Sequence, residues 1–401
     1  MTYFSAFRAY SLEFVVSTLL SGCLEHSADL GNSPAYDPVY AEAPPPATPA
    51  AATLPLAAPW KLVEHESYIS GFAVDQGQAF WFNQLFGGSR IDRISQLNRC
   101  DVAGCKSTLM QVGVWDVPAE NIFASNFTVV NSDVLLTFPT GKLAACSRSS
   151  CNDPTLFLDG LTDNAQLSFT GVVASDNESI LCSFGPQIIP ASYYYCKTAD
   201  CNGTIVKLPV PAAFDGSQGA IYDLVIDSEF AYAGEETGIY RLKLDGTTNW
   251  ELIAANVGRI ARLALHGDSI YWTEPVTLGT VKTCPKTGCI GTPAVVVPKL
   301  NRPTALIMDD NYVYVMEPAF RHETEYGDRI LRCPIGGCDE PTVLAKNVGC
   351  WSGFSQDQSY IYFSGAENYC FDSEGVNQCR LQPIENVSPR DNSFYIAAIA
   401  K

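Results

Sequence analysis

Five cysteine pairs recur along this chain at a near-constant beat, and the beat restricts the architectures open to it. Cys100/Cys105, Cys146/Cys151, Cys196/Cys201, Cys284/Cys289 and Cys333/Cys338 each enclose four residues. The first cysteines of successive pairs lie 46, 50, 88 and 49 residues apart, and Cys379 follows 46 later. The interval of 88 is two periods with one pair missing. A period in the forties is the length of one four-stranded propeller blade, a unit that must stack on copies of itself to bury its faces.

The clearest copy of the unit runs Arg259-Ile260-Ala261-Arg262-Leu263-Ala264-Leu265-His266, a Gly267-Asp268 turn, Ser269-Ile270-Tyr271-Trp272-Thr273-Glu274, then Gly279 to Cys284, then Ala294-Val295-Val296-Val297. These are four short strands, A to D, rich in β-branched and aromatic residues and separated by turn chemistry. No sustained helical period interrupts them. Further copies centre on Phe80-Trp81-Phe82, Val134-Leu135-Leu136, Ile180-Leu181-Cys182, Tyr232, Tyr312-Val313-Tyr314-Val315 and Tyr360-Ile361-Tyr362-Phe363. Seven copies predict an all-β chain: a seven-bladed β-propeller of four-stranded antiparallel blades, with six or eight blades as alternatives. Trp60-Lys61-Leu62-Val63-Glu64 precedes the first A strand and suits the D strand of the last blade, closing the ring; Phe394 to Ile399 is its rival.

Each C-x4-C spans the turn between strands C and D, so both cysteines are expected to flank a four-residue hairpin loop. Facing residues of a hairpin lie roughly 5.5 Å apart at Cα, which suits a disulfide. Gly104, Gly288 and Gly337 precede the second cysteine, where a tight turn favours positive φ. Zinc ribbons instead use C-x2-C, two pairs together, so disulfides are expected, with no metal and no cofactor. Cys370 and Cys379 are expected to pair around the long B–C connection of blade seven. Cys182 and Cys350 remain, either joined across blades or as two buried thiols.

Fifteen cysteines in close pairs point to an oxidising compartment, and the odd count leaves one without a partner. Near the start, the apolar run Phe14 to Leu20 leads into Leu20-Ser21-Gly22-Cys23, which resembles the lipobox of bacterial lipoprotein signal peptides. The resemblance implies cleavage before Cys23, lipid attachment at Cys23, and a body exported and anchored in the cell envelope, at the periplasmic side or the cell surface. Residues 1–22 are then the signal peptide. Residues 23–58, with Ala43-Pro44-Pro45-Pro46, are a Pro/Ala-rich linker, and residues 59–401 are the propeller. A formal charge of −18 argues against nucleic acid and against flat docking on an anionic membrane.

Tyr271-Trp272-Thr273-Glu274 resembles the YWTD repeat of receptor propellers. With Cys284-Pro285-Lys286-Thr287-Gly288-Cys289 behind it, the unit looks like the cysteine-paired propeller repeats of exported bacterial proteins. YWTD propellers have six blades, from which seven copies depart. The resemblance implies a binding scaffold and brings no catalytic residues.

Alternating strands put the A–B and C–D turns on one face, which the cysteines staple, and the B–C and D–A connections on the other. The second face carries the longer, aromatic-rich segments, so candidate binding residues are Phe82, Phe86, Tyr194, Phe320, Arg321, His322, Tyr326, Tyr369 and Phe371. Shielding of blade edges is the competing role for these aromatics. The sequence holds four histidines. His266 reads as a turn residue, and His322 as a solvated loop residue or, less simply, a general base or metal ligand. Asp75, Asp227, Asp309 and Asp357 at A-strand ends read as turn caps or, less simply, calcium ligands. No nucleophile elbow, metalloprotease helix or phosphate loop is present. The expectation is a monomeric, non-catalytic scaffold for a protein or glycan of the cell envelope. A lyase or glycan hydrolase with carboxylates at the channel is the alternative.

Overall fold

The computed structural model describes residues 59–401 apart from 67, 87–92, 118–125, 139–141, 159–172, 177, 185–191, 210–222, 236–237, 290, 318–328, 347–349 and 368–392. Seven four-stranded sheets form, each antiparallel and in A-B-C-D order, so the chain is a seven-bladed β-propeller. Blade one is Tyr68–Asp75, Gln78–Phe86, Arg93–Asp101 and Met110–Val117; blade two is Asn126–Val130, Asp133–Phe138, Lys142–Ser147 and Ser150–Leu158. Blade three is Val173–Ser175, Ser179–Phe184, Ser192–Lys197 and Val206–Leu208; blade four is Asp223–Ile226, Phe230–Gly234, Gly238–Lys243 and Glu251–Ala255. Blade five is Arg262–His266, Ser269–Thr273, Thr277–Pro285 and Ala294–Asn301; blade six is Ala305–Met308, Tyr312–Glu317, Arg329–Pro334 and Thr342–Lys346. Blade seven takes strands A to C from Cys350–Gln356, Tyr360–Glu367 and Ser393–Ala400, and its D strand from Trp60–Glu66. The N-terminal strand therefore closes the ring, and its rival at Phe394–Ile399 is the C strand beside it.

The core lies in the seams between blades. Successive residues of each strand alternate sides, so each blade buries one set of side chains against its predecessor and the other against its successor. Trp81, Trp272, Tyr232, Tyr314, Tyr362 and Phe363 are all essentially inaccessible.

Five disulfides form at the predicted spacing: Cys100–Cys105, Cys146–Cys151, Cys196–Cys201, Cys284–Cys289 and Cys333–Cys338, with Cα–Cα separations from 4.8 to 5.9 Å. They are not confined to the surface turn. Cys284 packs with Tyr232, Ile239 and Ile253 of the preceding blade, and Cys333 with Tyr271, Val281 and Val296. Cys146 and Cys151 pack on Phe80, Phe82 and Val112 of blade one, and Cys196 and Cys201 on Val130, Leu135 and Leu143 of blade two. Cys100 and Cys105 pack on Leu62, Val63 and Tyr362 of blade seven, which precedes blade one around the ring. The stapled turn also bonds backwards: Cys289 N–H donates to Ile253 O at 2.8 Å and Cys338 N–H to Val296 O at 3.1 Å. Gly288 and Gly337 have φ of 114° and 101°, as expected, and a Cβ would lie 3.4 and 3.5 Å from those carbonyls.

The expected four-residue hairpin loop is not what the first three pairs enclose. Gly104 has φ −157° and caps a single helical turn, Cys105–Thr108, so Cys105 opens a helix. Cys201 likewise opens the helical turn Cys201–Thr204, whose cap Asp200 accepts the Gly203 N–H at 2.9 Å. Cys151 departs in the opposite direction. Strand C of blade two runs to Ser147 and strand D begins at Ser150, leaving a turn of only Arg148 and Ser149. Ser147 Oγ accepts the Ser150 N–H at 3.1 Å and closes this turn, so Cys151 lies inside strand D and is fully buried. The bridge survives all three turns because it needs only the approach of two Cα atoms, which a helical turn and a tight hairpin both supply.

Two blades lack the staple. In blade four Leu242 occupies the first cysteine's register, and Leu244 and Trp250 fill the seam against Tyr193 and Leu208. Trp250 Nε1–H donates to Pro209 O at 2.7 Å. In blade seven Ile399 holds that register. Cys379 therefore does not continue the beat: it falls between strands B and C and, with Cys370, lies outside the described residues. Cys182 is unbonded and buried, so no bridge joins it to Cys350; its thiol donates to Tyr194 O at 3.6 Å. Burial pushes this thiol up to about 12.

Candidate binding face

The two faces differ in how closely the repeat is kept. On the first face every A–B connection is short: 76–77, 131–132, 176–178, 227–229, 267–268, 309–311 and 357–359. In all seven blades the residue two past the first-cysteine register donates its N–H to a carbonyl of the A–B turn, at 2.8 to 3.2 Å. Those donors are Val102, Arg148, Thr198, Leu244, Lys286, Ile335 and Lys401.

Three of these residues are cations, and each reaches across the seam to an aspartate of the preceding blade. Arg148 pairs with Asp75, Lys286 with Asp227 at 2.9 Å, and Lys401 with Asp309 at 3.0 Å. Asp227, Asp309 and Asp357 also cap their own turns, each accepting two backbone N–H bonds through Oδ1. The other oxygen of each accepts a tyrosine hydroxyl: Tyr232 at 3.1 Å, Tyr314 at 2.9 Å and Tyr362 at 2.6 Å. Burial raises these carboxyls, but the bonds outweigh it: Asp309 sits at about 2, and Asp227 and Asp357 also lie below the usual range. The aspartates are thus turn caps and seam acceptors, and Asp176 caps a fourth turn in the same way. Asp75 alone precedes a turn of two positive-φ residues, Gln76 and Gly77, and serves the seam. Among the described residues no group of acidic, histidine or cysteine side chains is arranged to hold a metal ion.

The second face is irregular. Its connections range from residue 67 alone to 159–172, 209–222 and 368–392. Of the residues expected here, Phe82 is misplaced. It is buried within strand B of blade one and meets Phe127 of blade two edge-on at 4.9 Å, because the strand runs on to Phe86. Phe86 ends that strand. Tyr194, expected among the face's connecting segments, lies instead in strand C of blade three with Tyr193 and Tyr195. Tyr194 is partly buried mid-strand, with Lys207 Nζ 5.8 Å from its ring centroid. Glu317 ends strand B of blade six and is fully buried. Phe320, Arg321, His322, Tyr326, Tyr369 and Phe371 lie outside the described residues, as does Cys23.

Carboxylates near the second face are held by structural partners. Glu317 accepts from Asn301 N–H at 2.8 Å and pairs with Arg329 at 2.6 Å. Glu274 pairs with Lys282 at 2.6 Å and accepts from Thr280 at 2.8 Å. Asp223, on the innermost strand of blade four, accepts the Leu263 N–H of blade five at 2.7 Å and lies 3.7 Å from Arg262. Burial is the largest influence on Asp223 and lifts its carboxyl above the usual range.

The B–C hairpin of blade five exposes Val276 (48%) and Leu278 (73%). Leu278 has φ 59°, and the facing segment carries Lys299 at 57° and Arg302 at 49°. Leucine is not a turn residue by type, so nothing in the letters signals a left-handed backbone here.

No family model matches this chain. No curated protein matches it either. Among solved structures, the chain is similar to the computationally designed Ika8 protein, with 12% identity, a TM-score of 0.52, and coverage of 77% of this chain and 84% of that one. BamB from Moraxella catarrhalis is similar at 11% identity and a TM-score of 0.47, covering 82% of this chain and 85% of that one. The first likeness agrees with the fold; neither bears on activity.

Proposed function

We propose that this protein is an exported, non-catalytic binding scaffold. It presents the B–C/D–A face to a protein or glycan of the cell envelope, acts as a monomer, and is tethered by lipid on Cys23. The observation that carries the reading is the contrast between faces. One repeats the same hydrogen bond in every blade and is stapled in five. The other lets its connections vary widely in length. A rigid frame with variable loops on one side is the usual arrangement for recognition. The disulfides support folding in an oxidising compartment. The carboxylates named above support binding over catalysis, because each is engaged in holding strands together.

The test is capture from envelope extracts, under non-reducing conditions, on the immobilised body of residues 59–401 and on its Phe320→Ala/Tyr326→Ala/Tyr369→Ala variant. A specific protein or glycan retained by the first and lost by the second is expected. Equal capture by both removes the face from the account. Cys23→Ser in the full chain should release the protein from membranes into the soluble fraction.

A further inference from the structure

The seam between blades three and four is closed in its own way. Where blade five meets blade four, and blade six meets blade five, the stapled turn lies on the outer strand of its predecessor and bonds to its carbonyls through Cys289 N–H and Cys338 N–H. Blade four has no staple. Its C–D connection is Leu244-Asp245-Gly246-Thr247-Thr248-Asn249-Trp250. Asp245 turns this loop back on itself: Oδ1 accepts the Thr247 N–H at 2.9 Å and the Thr247 hydroxyl at 2.6 Å, and Oδ2 pairs with Lys243 at 3.0 Å. Thr247 holds the register of the second cysteine, so the N–H that would bond to blade three is spent inside the loop.

The loop meets blade three at both ends. At one end is Gly246, with φ 69°, where a Cβ would lie 3.4 Å from Cγ1 of Val206. At the other, Trp250 Nε1–H donates to Pro209 O at 2.7 Å, and its ring meets Tyr193 at 5.6 Å. Between these anchors the strand and the loop stand apart. They leave a cleft of about 510 Å³, lined by residues 207–209 on one wall and 246–249 on the other. That volume falls within the range of small-ligand sites, about 300–1,000 Å³. Two fixed ends keep the cleft preformed, which lowers the ordering cost of binding.

The lining narrows the occupant. No carboxylate lines the cleft, although the chain carries −18. The one charged group is Lys207, whose ammonium lies 5.8 Å from the Tyr194 ring centroid and pairs with no carboxylate among the described residues. The side chains of Thr248 and Asn249 are exposed, and among the described residues neither makes a hydrogen bond. Leu208 and Pro209 add a small aliphatic surface. Lys207 opposes a cation. A flat aromatic ligand finds no ring in the lining to stack on, and an acyl chain would desolvate the polar wall without compensation. A polyanion meets the net charge of the rest of the chain. A sugar with a single carboxylate answers each group: the carboxylate to Lys207, ring hydroxyls to Thr248 and Asn249, and the C–H face of the ring to Leu208 and Pro209.

We propose that this cleft binds a short saccharide carrying one carboxylate. The site belongs to the stapled side of the ring and does not depend on the B–C/D–A face.

The experiment is calorimetric titration of the purified full-length chain with cellobiouronate and galacturonosyl-galactose, each against its neutral parent, cellobiose or galactobiose. N-acetyl-trialanine serves as a carboxylate without hydroxyls. At least one acidic sugar should bind about tenfold more tightly than its parent, and the peptide should not bind. Lys207→Ala should abolish the preference for the acid. Thr248→Trp, which puts an indole into the cleft, should abolish binding. Both positions are exposed, so neither change should lower the melting temperature. Equal affinity for acid and parent, peptide binding as tight as sugar, binding that survives Thr248→Trp, or no sugar binding at about 10 mM would each overturn the proposal. The Phe320→Ala/Tyr326→Ala/Tyr369→Ala chain should bind the sugars unchanged. Loss in that variant with retention in Thr248→Trp would move the saccharide to the variable face and leave the cleft empty of function. Failed capture by the variable face, with sugar binding lost only in the cleft variants, would sink the face and keep the cleft.

Discussion

Asp309 shows how much a single side chain carries in this ring. Its carboxylate ends a strand, caps the following turn, accepts the Tyr314 hydroxyl and receives Lys401 from the next blade. Because its folded value is about 2 and an unfolded aspartate titrates near 3.9, the stability it supplies is complete above about pH 4 and is lost as pH falls towards 2. Thermal unfolding should show the melting temperature dropping across that window, and Asp309→Asn should flatten the drop while lowering stability at neutral pH by about 1–3 kcal/mol. Cys182 makes the opposite prediction. A thiol at about 12, 1% exposed, should resist alkylation at pH 8 until the chain unfolds, which mass spectrometry of its peptide will report.

The stapled C–D turn works on two sides at once: it closes a short ring in its own blade and packs sulfur into the neighbouring one. Replacing Cys284 and Cys289 together by alanine should cost about 2 kcal/mol in loop closure, with more from the packing lost against Ile253, read as a shift in urea midpoint. Blade four does the same work without sulfur, so Trp250→Ala should cost about 3 kcal/mol by losing the bond to Pro209 and the contact with Tyr193. Much of this was legible in the letters. The C-x4-C beat, the paired aromatics of strand B and the aspartates ending strand A are local patterns, and each marked its element. The spacing marked the bond but not the turn inside it: Cys151 sits in a strand and Cys201 starts a helical turn, because the capping side chains Ser147 and Asp200 choose the backbone between the sulfurs. What else was hidden is non-local. The pairings of Lys286 with Asp227 and of Arg148 with Asp75 join residues 59 and 73 positions apart, and neither residue type announces a partner. Phe82 was misjudged for a related reason: strand B of blade one runs further than its turn signals suggest, and length decides whether a side chain meets solvent or the next blade. Leu278 was missed because leucine carries no signal for the left-handed backbone it adopts.

At the scale of the molecule, closure rests on one strand. Trp60–Glu66 is the outer strand of blade seven, and Leu62 and Val63 bury against blade one. Removing residues 59–66 should expose the edge of Ser393–Ala400 and uncover Cys100 and Cys105. The expected outcome is a chain that binds a hydrophobic dye and aggregates, while the full body stays monodisperse by light scattering. Among the described residues four seam bridges run in the same rotational sense, cation of one blade to carboxylate of the one before. Every module therefore has a leading and a trailing flank, and tandem duplication of one would bring the trailing flank of the new copy against the leading flank of its parent. Such an assembly can grow or shrink by whole modules without inventing a new kind of joint, the circumference adjusting while the chemistry at each boundary stays the same.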